Sequence, residues 1–331
     1  MDPIRRILIA VKNPDSRTHP GVEKAIHIAS LLGASVELFN AISSPVFLEL
    51  EPLSGRSLAE IRAESLQLRR KRLEKIAQVA RKYRVETACH VTWDYPPQEA
   101  IVRRADEIRA DLIIAECHEG KRLKPWLVHL TDWELLRLST RPVLILKNDR
   151  RWREPTLLAA VDPDHAHDKP ARLDKAIVEH VTQLATALHG SVELMHANFP
   201  TSFGLLMNDP ALDVAAIANS YEEQRARSKA SFLEFAAEHR IPKARCHLVD
   251  TDPVFAIPHM ARKLGAELVV MGAVSRSGLK RVFIGNTAER VLDALPCDVL
   301  VVKPSRTARR VSSRERGMRV IPPQPLLPLP V

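Results

Sequence analysis

The sequence predicts an α/β protein built from two tandem, doubly wound domains, each on a five-stranded parallel sheet. Three observations carry that prediction. First, the chain is written twice. ILIAVKNPDS (Ile7–Ser16), ASVELFNA (Ala34–Ala41), ADLIIAECHEG (Ala110–Gly120), TDWELLR (Thr131–Arg137) and RPVLILKND (Arg141–Asp149) form the first copy. LLAAVDPDHA (Leu157–Ala166), GSVELMHA (Gly190–Ala197), AELVVMGAVSR (Ala266–Arg276), TAERVLD (Thr287–Asp293) and CDVLVVKPS (Cys297–Ser305) answer it. Matching segments lie 150 to 157 residues apart, from the Ile7–Leu157 pair to the Cys89–Cys246 pair, which marks a duplicated fold. Second, 331 residues suit two domains of ~150, each large enough for its own core. Third, runs such as Leu112-Ile113-Ile114-Ala115 and Leu268-Val269-Val270-Met271 are apolar without alternation, as strands buried on both faces of a parallel sheet must be.

The elements follow in order. Short aliphatic or β-branched runs predict first-copy strands at Arg6–Lys12, Ser35–Ala41, Arg84–Val91, Leu112–Cys117 and Val143–Lys147. Their second-copy equivalents are Thr156–Asp162, Ser191–Ala197, Lys243–Asp250, Leu268–Ala273 and Val299–Lys303. Amphipathic stretches between them predict helices at Gly21–Leu32, Ser57–Tyr83, Gln98–Arg109 and Trp126–Ser139, then at Ala171–His189, Ala211–His239, Val254–Leu264 and Thr287–Leu295. Strands alternating with helices, joined by right-handed crossovers, give helices on both faces of each sheet. The expected domains are 1–147 and 156–304, with Asn148–Pro155 as linker and 305–331 as a basic, proline-rich, disordered tail.

Composition narrows the class. With 45% hydrophobic and 27% charged residues and no apolar run near the ~18 needed to cross a bilayer, the sequence predicts no membrane insertion. The first strand candidate follows so closely on Met1 that no secretory leader is expected, and four scattered cysteines suit a reducing compartment. A cytoplasmic protein is the expectation. The net charge of +9 invites a nucleic-acid partner, but the tail holds Arg306, Arg309, Arg310, Arg314, Arg316 and Arg319 against Glu315 alone. More than half of the excess thus sits in an appendage ending IPPQPLLPLPV, and the residues favour a solvated tail over one touching nucleic acid or acidic lipid.

In doubly wound folds, ligands bind beyond the carboxyl ends of the strands where the strand order reverses. In the second copy, Asp162-Pro163-Asp164 follows the first strand and Gly272-Ala273-Val274-Ser275-Arg276-Ser277-Gly278 the fourth, leading to Gly285-Asn286-Thr287-Ala288-Glu289. A chain with only 11 glycines places three of them between 272 and 285. Glycine lets backbone approach phosphate oxygens, and the N–H groups opening a helix near Asn286 supply donors and the positive end of the helix dipole. Arg276, Lys280 and Arg281 add cationic contacts. Asn286 with Glu289 also suits an N-cap with its reciprocal acid, and Gly278 suits a simple turn.

At these residues the chain resembles the universal stress protein family, its tandem E-type members above all. Nucleotide-binding members carry G-x2-G-x9-G-[ST] after the fourth strand; here the frame is Gly272-x2-Ser275-x9-Gly285-Asn286. The segment from Gly285 to Pro304 resembles the C-terminal half of tandem members, and TDWELLR with PVLILK their N-terminal half, so the likeness covers residues 4 to 304. It implies a Rossmann-like fold of the adenine nucleotide alpha hydrolase type and an adenine nucleotide, ATP, as cofactor, with Mg²⁺ as its companion. It further implies that Asp162 contacts adenine and ribose, that Ala197 offers a backbone contact to adenine, and that Gly272, Ser275, Gly285, Asn286 and Thr287 cradle phosphate. The biology implied is survival under stress, DNA-damaging agents included.

The first copy departs at these places. Lys12 stands for Asp162, Glu116 for Gly272, Glu119 for Ser275, His129 for Gly285 and Leu130 for Asn286. Two carboxylates repel phosphate, so this copy is expected to bind no nucleotide and to serve as packing partner, in a pseudo-dimer of the two domains or a homodimer. By the family's habit the contact runs through the last strands, Val143–Lys147 against Val299–Lys303.

No Walker A lysine, nucleophile elbow or two-histidine zinc helix is present, so no catalytic residue is assigned. Asp162, Asp164, His165 and His167 suit a polar surface loop better than a divalent-ion site. Cys89-His90 and Cys246-His247 point to opposite faces of their strands, so neither pair chelates an ion alone, and no metal is assigned. The loops Ser43–Leu58 and Asn198–Val214 are long and apolar, the second with Phe199, Phe203, Leu205, Leu206 and Met207. Beside the nucleotide module stand two alternatives: a nucleotide-free scaffold or carrier of a lipid-like or other small molecule, and a weak Mg²⁺-dependent ATPase.

Overall fold

The computed structural model describes residues 3–44, 46–47, 57–116, 130–164, 172–198, 214–272, 286–303 and 311–321. The chain forms two compact units. The first comprises residues 4–116, 130–139 and 311–321 among those described. Its elements are β1 (Arg6–Ala10), α1 (Pro20–Leu32), β2 (Ser35–Ile42), β3 (Val46–Phe47), α2 (Leu58–Lys82), β4 (Thr87–Trp93), α3 (Pro97–Glu107), β5 (Leu112–Glu116) and α4 (Leu130–Leu138). Four of the strands pair in parallel in the order β4-β2-β1-β5. Ile7, Leu8, Ile9, Leu112, Ile113 and Ile114 are buried, as non-alternating runs between two helical layers require. Helix ends follow local chemistry. Ser57 and Glu60 close a reciprocal capping box on α2, and Gly33 ends α1 in the left-handed region at φ 65°.

The second unit carries β6 (Val143–Leu146), β7 (Thr156–Val161), α5 (Leu173–Leu188), β8 (Ser191–Ala197), α6 (Val214–Glu238), β9 (Cys246–Val249), α7 (Pro253–Leu264), β10 (Leu268–Gly272), α8 (Asn286–Ala294) and β11 (Asp298–Val302). Its strand order is β6-β11-β10-β7-β8-β9, parallel throughout except for β6. β6 belongs to the first copy by sequence yet pairs antiparallel with β11, placing Ile145 opposite Val299 and Val143 opposite Val301. Residues 148–155, expected as a linker, are anchored within this unit. Trp152 is buried and donates from Nε1 to Asp298 Oδ2 at 3.0 Å, while Lys147 donates from its backbone N–H to Asp298 Oδ1 at 2.8 Å. An aspartate in the core is tolerable only with such partners.

Three sequence expectations are corrected. The third strands begin late, at Thr87 and Cys246 rather than Arg84 and Lys243. Arg84 sits at φ 54° and Val85 N–H still returns to Ala80 of α2 at 3.2 Å, whereas Lys243–Arg245 form a 3₁₀ turn. The tail expected to be disordered is instead ordered over 311–321 and docked on the first unit. Its final described residues form β12 (Val320–Ile321), which pairs in parallel with β3 through Val320–Val46 and Ile321–Phe47.

The docking converges on Asp94, which has 0% exposure. Its Oδ1 accepts from the backbone N–H of Tyr95 and Arg316 at 2.9 Å each and of Gly317 at 3.1 Å. Its Oδ2 accepts from Arg103 Nη1. Two successive N–H groups aimed at one carboxylate, with Gly317 at φ 75°, make an anion nest, and only glycine adopts that φ freely. Around it Arg103 Nε donates to Ser312 O at 2.8 Å, Thr92 Oγ1 to Glu315 at 2.8 Å and Arg316 to Glu99 at 2.7 Å. Met318 packs against the Ile42–Trp93 cluster.

Candidate functional site

The site predicted in the second copy lies where its strand order reverses. β7 runs between β10 and β8, and the register pairs Met271 with Ala160 and His196 with Val161. Three predicted residues, Gly272, Asp162 and Ala197, therefore stand at the carboxyl ends of three adjacent strands, in the order β10, β7, β8. Asn286 and Thr287 open α8, while Ser275 and Gly285 lie outside the described residues.

Gly272 is fixed by packing. A Cβ there would stand 2.7 Å from Leu173 Cδ2 and 3.3 Å from Ile177 Cδ1, both buried residues of α5. The close packing of α5 on this strand end therefore favours glycine.

Sequence reasoning did not assign the group that organises the Asp162 loop. His196, at 2% exposure, sits under Val161, Asp162 and Asp164. Its Nδ1 is 3.1 Å from Val161 O, which can only accept, so Nδ1 carries a hydrogen. Its Nε2 lies 3.1 Å from Ser228 Oγ and 3.4 Å from Asp164 Oδ2, and the ring tilts against Phe232 at 5.8 Å. Asp162 is 3.8 Å from Nδ1, and its backbone N–H donates to Asp174 Oδ1 in the first turn of α5 at 3.1 Å. The only sequence signal for His196 was a polar residue ending a buried strand; nothing local marks Ser228, mid-helix and 32 residues away.

The hydrogen bond from His196 holds the Asp164 carboxyl down to about 2, with Ser228 and Ser231 adding to it against the opposing effect of burial. A folded value below the ordinary 3.8 means that the contribution to stability is complete above that value and vanishes as pH falls through about 2. We expect the second unit to lose stability between about pH 4 and pH 2 in denaturant titrations, and Asp164→Asn to be less stable at neutral pH with that acid limb flattened. An unchanged limb in the variant would rule the assignment out.

The first copy is built differently at the same place. Lys12, after β1, is exposed, and Leu130 opens α4; Glu119 and His129 lie outside the described residues. Glu116 ends β5 and folds back over α1, where a Cβ on Gly21 would collide with its Oε1 and stand 2.7 Å from its Cδ and Cγ. The two copies thus exchange bulk: glycine on the strand with isoleucine on the helix in one, glutamate on the strand with glycine on the helix in the other.

The three described cysteines, Cys89, Cys246 and Cys297, supply no reactive centre. Burial pushes the Cys89 thiol up to about 11 and Cys297 to about 12, and raises Cys246. Thiols held protonated are poor nucleophiles and poor metal ligands. His247 bonds Glu193 at 2.8 Å, and among the described residues no three His, Cys, Asp or Glu side chains are placed to share an ion. Nor is any described helix long and apolar enough to cross a membrane.

A doubled α/β unit with parallel strands buried between helices defines a tandem doubly wound protein, and comparison with known proteins gives its family. The universal stress protein family profile matches residues 3–147 and again 156–303, so the chain belongs to the universal stress protein family, in its tandem form. It is 28% identical over 300 residues to Universal stress protein E of Salmonella typhi, covering 90% of this chain and 94% of that protein. It is 27% identical over 301 residues to Universal stress protein E of Escherichia coli, with the same shares covered. Among solved structures, a putative universal stress protein of Pseudomonas aeruginosa superposes with a TM-score of 0.69 at 25% identity, over 91% of this chain and 94% of that one. One from Archaeoglobus fulgidus shares the fold at a TM-score of 0.64 and 15% identity, over 89% and 98%.

Proposed function

We propose that the second copy binds an adenine nucleotide, ATP, and that the first copy, without one, completes the protein as packing partner in a cytoplasmic stress-response module. The observation that carries this reading is Gly272 beside Asp162 at the strand-order reversal, where any side chain would press on Leu173. Glycine at the end of this strand suits a phosphate chain approaching backbone. On this reading Asp162 contacts adenine and ribose, and Ala197, ending β8, offers its backbone to adenine. Ser275, Gly285, Asn286 and Thr287 take the phosphates, with donors from the opening turn of α8. Mg²⁺ accompanies the phosphates, and the protein's part is to hold the nucleotide and report its presence to partners during stress, DNA damage included.

Native mass spectrometry of the full chain with ATP and Mg²⁺ tests this. One ATP per chain is expected, weakened at least tenfold by Asp162→Ala and abolished by Gly285→Glu, which brings a carboxylate among the phosphates. Binding that survives both substitutions would overturn the assignment. A retained mass that is not a nucleotide would support a small-molecule carrier instead, and Mg²⁺-dependent release of phosphate lost in Asp162→Ala would add slow hydrolysis.

A further inference from the structure

The first copy holds a cavity of about 220 Å³ at the carboxyl ends of β1, β2 and β5. Its walls are apolar, with Val11, Phe39, Ile101 and Leu135 among them. Its polar lining is unlike that of a phosphate site: Lys12, Asn40, Glu116 and Asp132.

Asn40 is 5% exposed; its Nδ2 donates to Val11 O at 2.8 Å, while its buried Oδ1 has no hydrogen-bond partner among the described residues. In the second copy the same strand position is His196, which makes the equivalent bond to Val161 O and then spends its other nitrogen on Ser228. The first copy therefore leaves one acceptor open where the second does not, and buried acceptors are seldom left so. The carboxylates of Glu116 and Asp132 make the lining anionic, whereas the cation of the lining, Lys12, is exposed. Glu116 also lies over the first turn of α1 at Gly21, so the protein's own carboxylate takes the helix N-terminal position that an external anion would use. The volume is below the ~300–1,000 Å³ of sites for drug-sized ligands, which sets the scale of the occupant.

We propose that this cavity binds a small, phosphate-free organic cation: an amine or amidine on a compact apolar body. The cationic N–H groups give Asn40 Oδ1 its missing partner and meet Glu116 and Asp132, while the body covers Phe39, Ile101 and Leu135. Phosphate esters and carboxylates are refused by like charge. The site is independent of the nucleotide reading of the second copy.

The test uses the full chain and three probes of one shape, benzamidine, benzyl alcohol and benzoate, in ligand-observed NMR titrations. Benzamidine is expected to bind at least tenfold more tightly than either of the others. Ile101→Trp, which fills the cavity, should abolish that binding, and Glu116→Gln should weaken it about tenfold through loss of a charge-assisted hydrogen bond. Asn40→Leu, which keeps the branching and heavy-atom count of the side chain but removes the open acceptor, should weaken it comparably and serves if the tryptophan variant misfolds. Asp162→Ala in the second copy should leave it unchanged. Benzoate binding as well as benzamidine, no benzamidine binding at millimolar concentration, or binding that persists in both Ile101→Trp and Asn40→Leu would each overturn the proposal.

Discussion

Asp94→Ala is expected to destabilise the first unit by about 3–5 kcal/mol, the range for breaking a buried ion pair from one side. The carboxylate is fully buried, and removing it strands Arg103, whose side chain is 9% exposed, together with the N–H groups of Arg316 and Gly317. Deleting the chain from 311 onward should cost less, about 2 kcal/mol, because Asp94 then keeps Arg103 and Tyr95 and gains water in place of the two lost donors. The two changes act on one cluster and should not add: in a double-mutant cycle the coupling should reach ~1 kcal/mol or more. Hydrogen exchange gives the specific signature, with the amides of Arg316 and Gly317 protected in the native chain and exposed in Asp94→Ala. Equal exchange in both proteins would show that the nest does not hold the tail.

Gly21→Ile tests the exchange of bulk between copies. Isoleucine should help α1 by ~0.5 kcal/mol through helix propensity alone, since glycine is the poorer former. Overpacking against Glu116 should outweigh that, for a net loss of about 1–3 kcal/mol. Adding Glu116→Gly recreates the pairing that the second copy has in Ile177 and Gly272, and should restore most of the loss in urea denaturation. If the two substitutions prove additive, Glu116 is not what Gly21 makes room for.

What the sequence made legible was what is decided locally or by repetition. The buried strands were readable because β1, β5, β7 and β10 lack alternation, and the helices because their apolar positions recur at helical spacing. Gly272 at the end of β10 was readable because glycine placement is a local fact. Pairings at long range were not. Arginine and proline around 311–321 carry every local mark of disorder, and only Asp94, more than 200 residues earlier, turns that segment into a nest. His196 stands near the end of a strand, yet its meaning lies in Ser228 and Asp164, which strand periodicity cannot register. Residues 165–171, 199–213 and 273–285 fall outside the described residues, the apolar segment around Phe203 included.

The two units trade segments: β6, from the first half of the sequence, finishes the second unit beside β11, while residues 311–321, from its far end, finish the first. A chain leaving the ribosome therefore cannot close its first unit when that half has emerged. Asp94 waits for the last stretch to be made, and β6 waits about as long for its neighbour. Contacts spanning so much of the chain form slowly. In the interval a strand edge and a cavity-bearing half stand open, the kind of surface that chaperones shield and that aggregates exploit. Abundance of this protein should thus depend on uninterrupted synthesis, because a product that stops before residue 311 lacks the piece that seals the first unit.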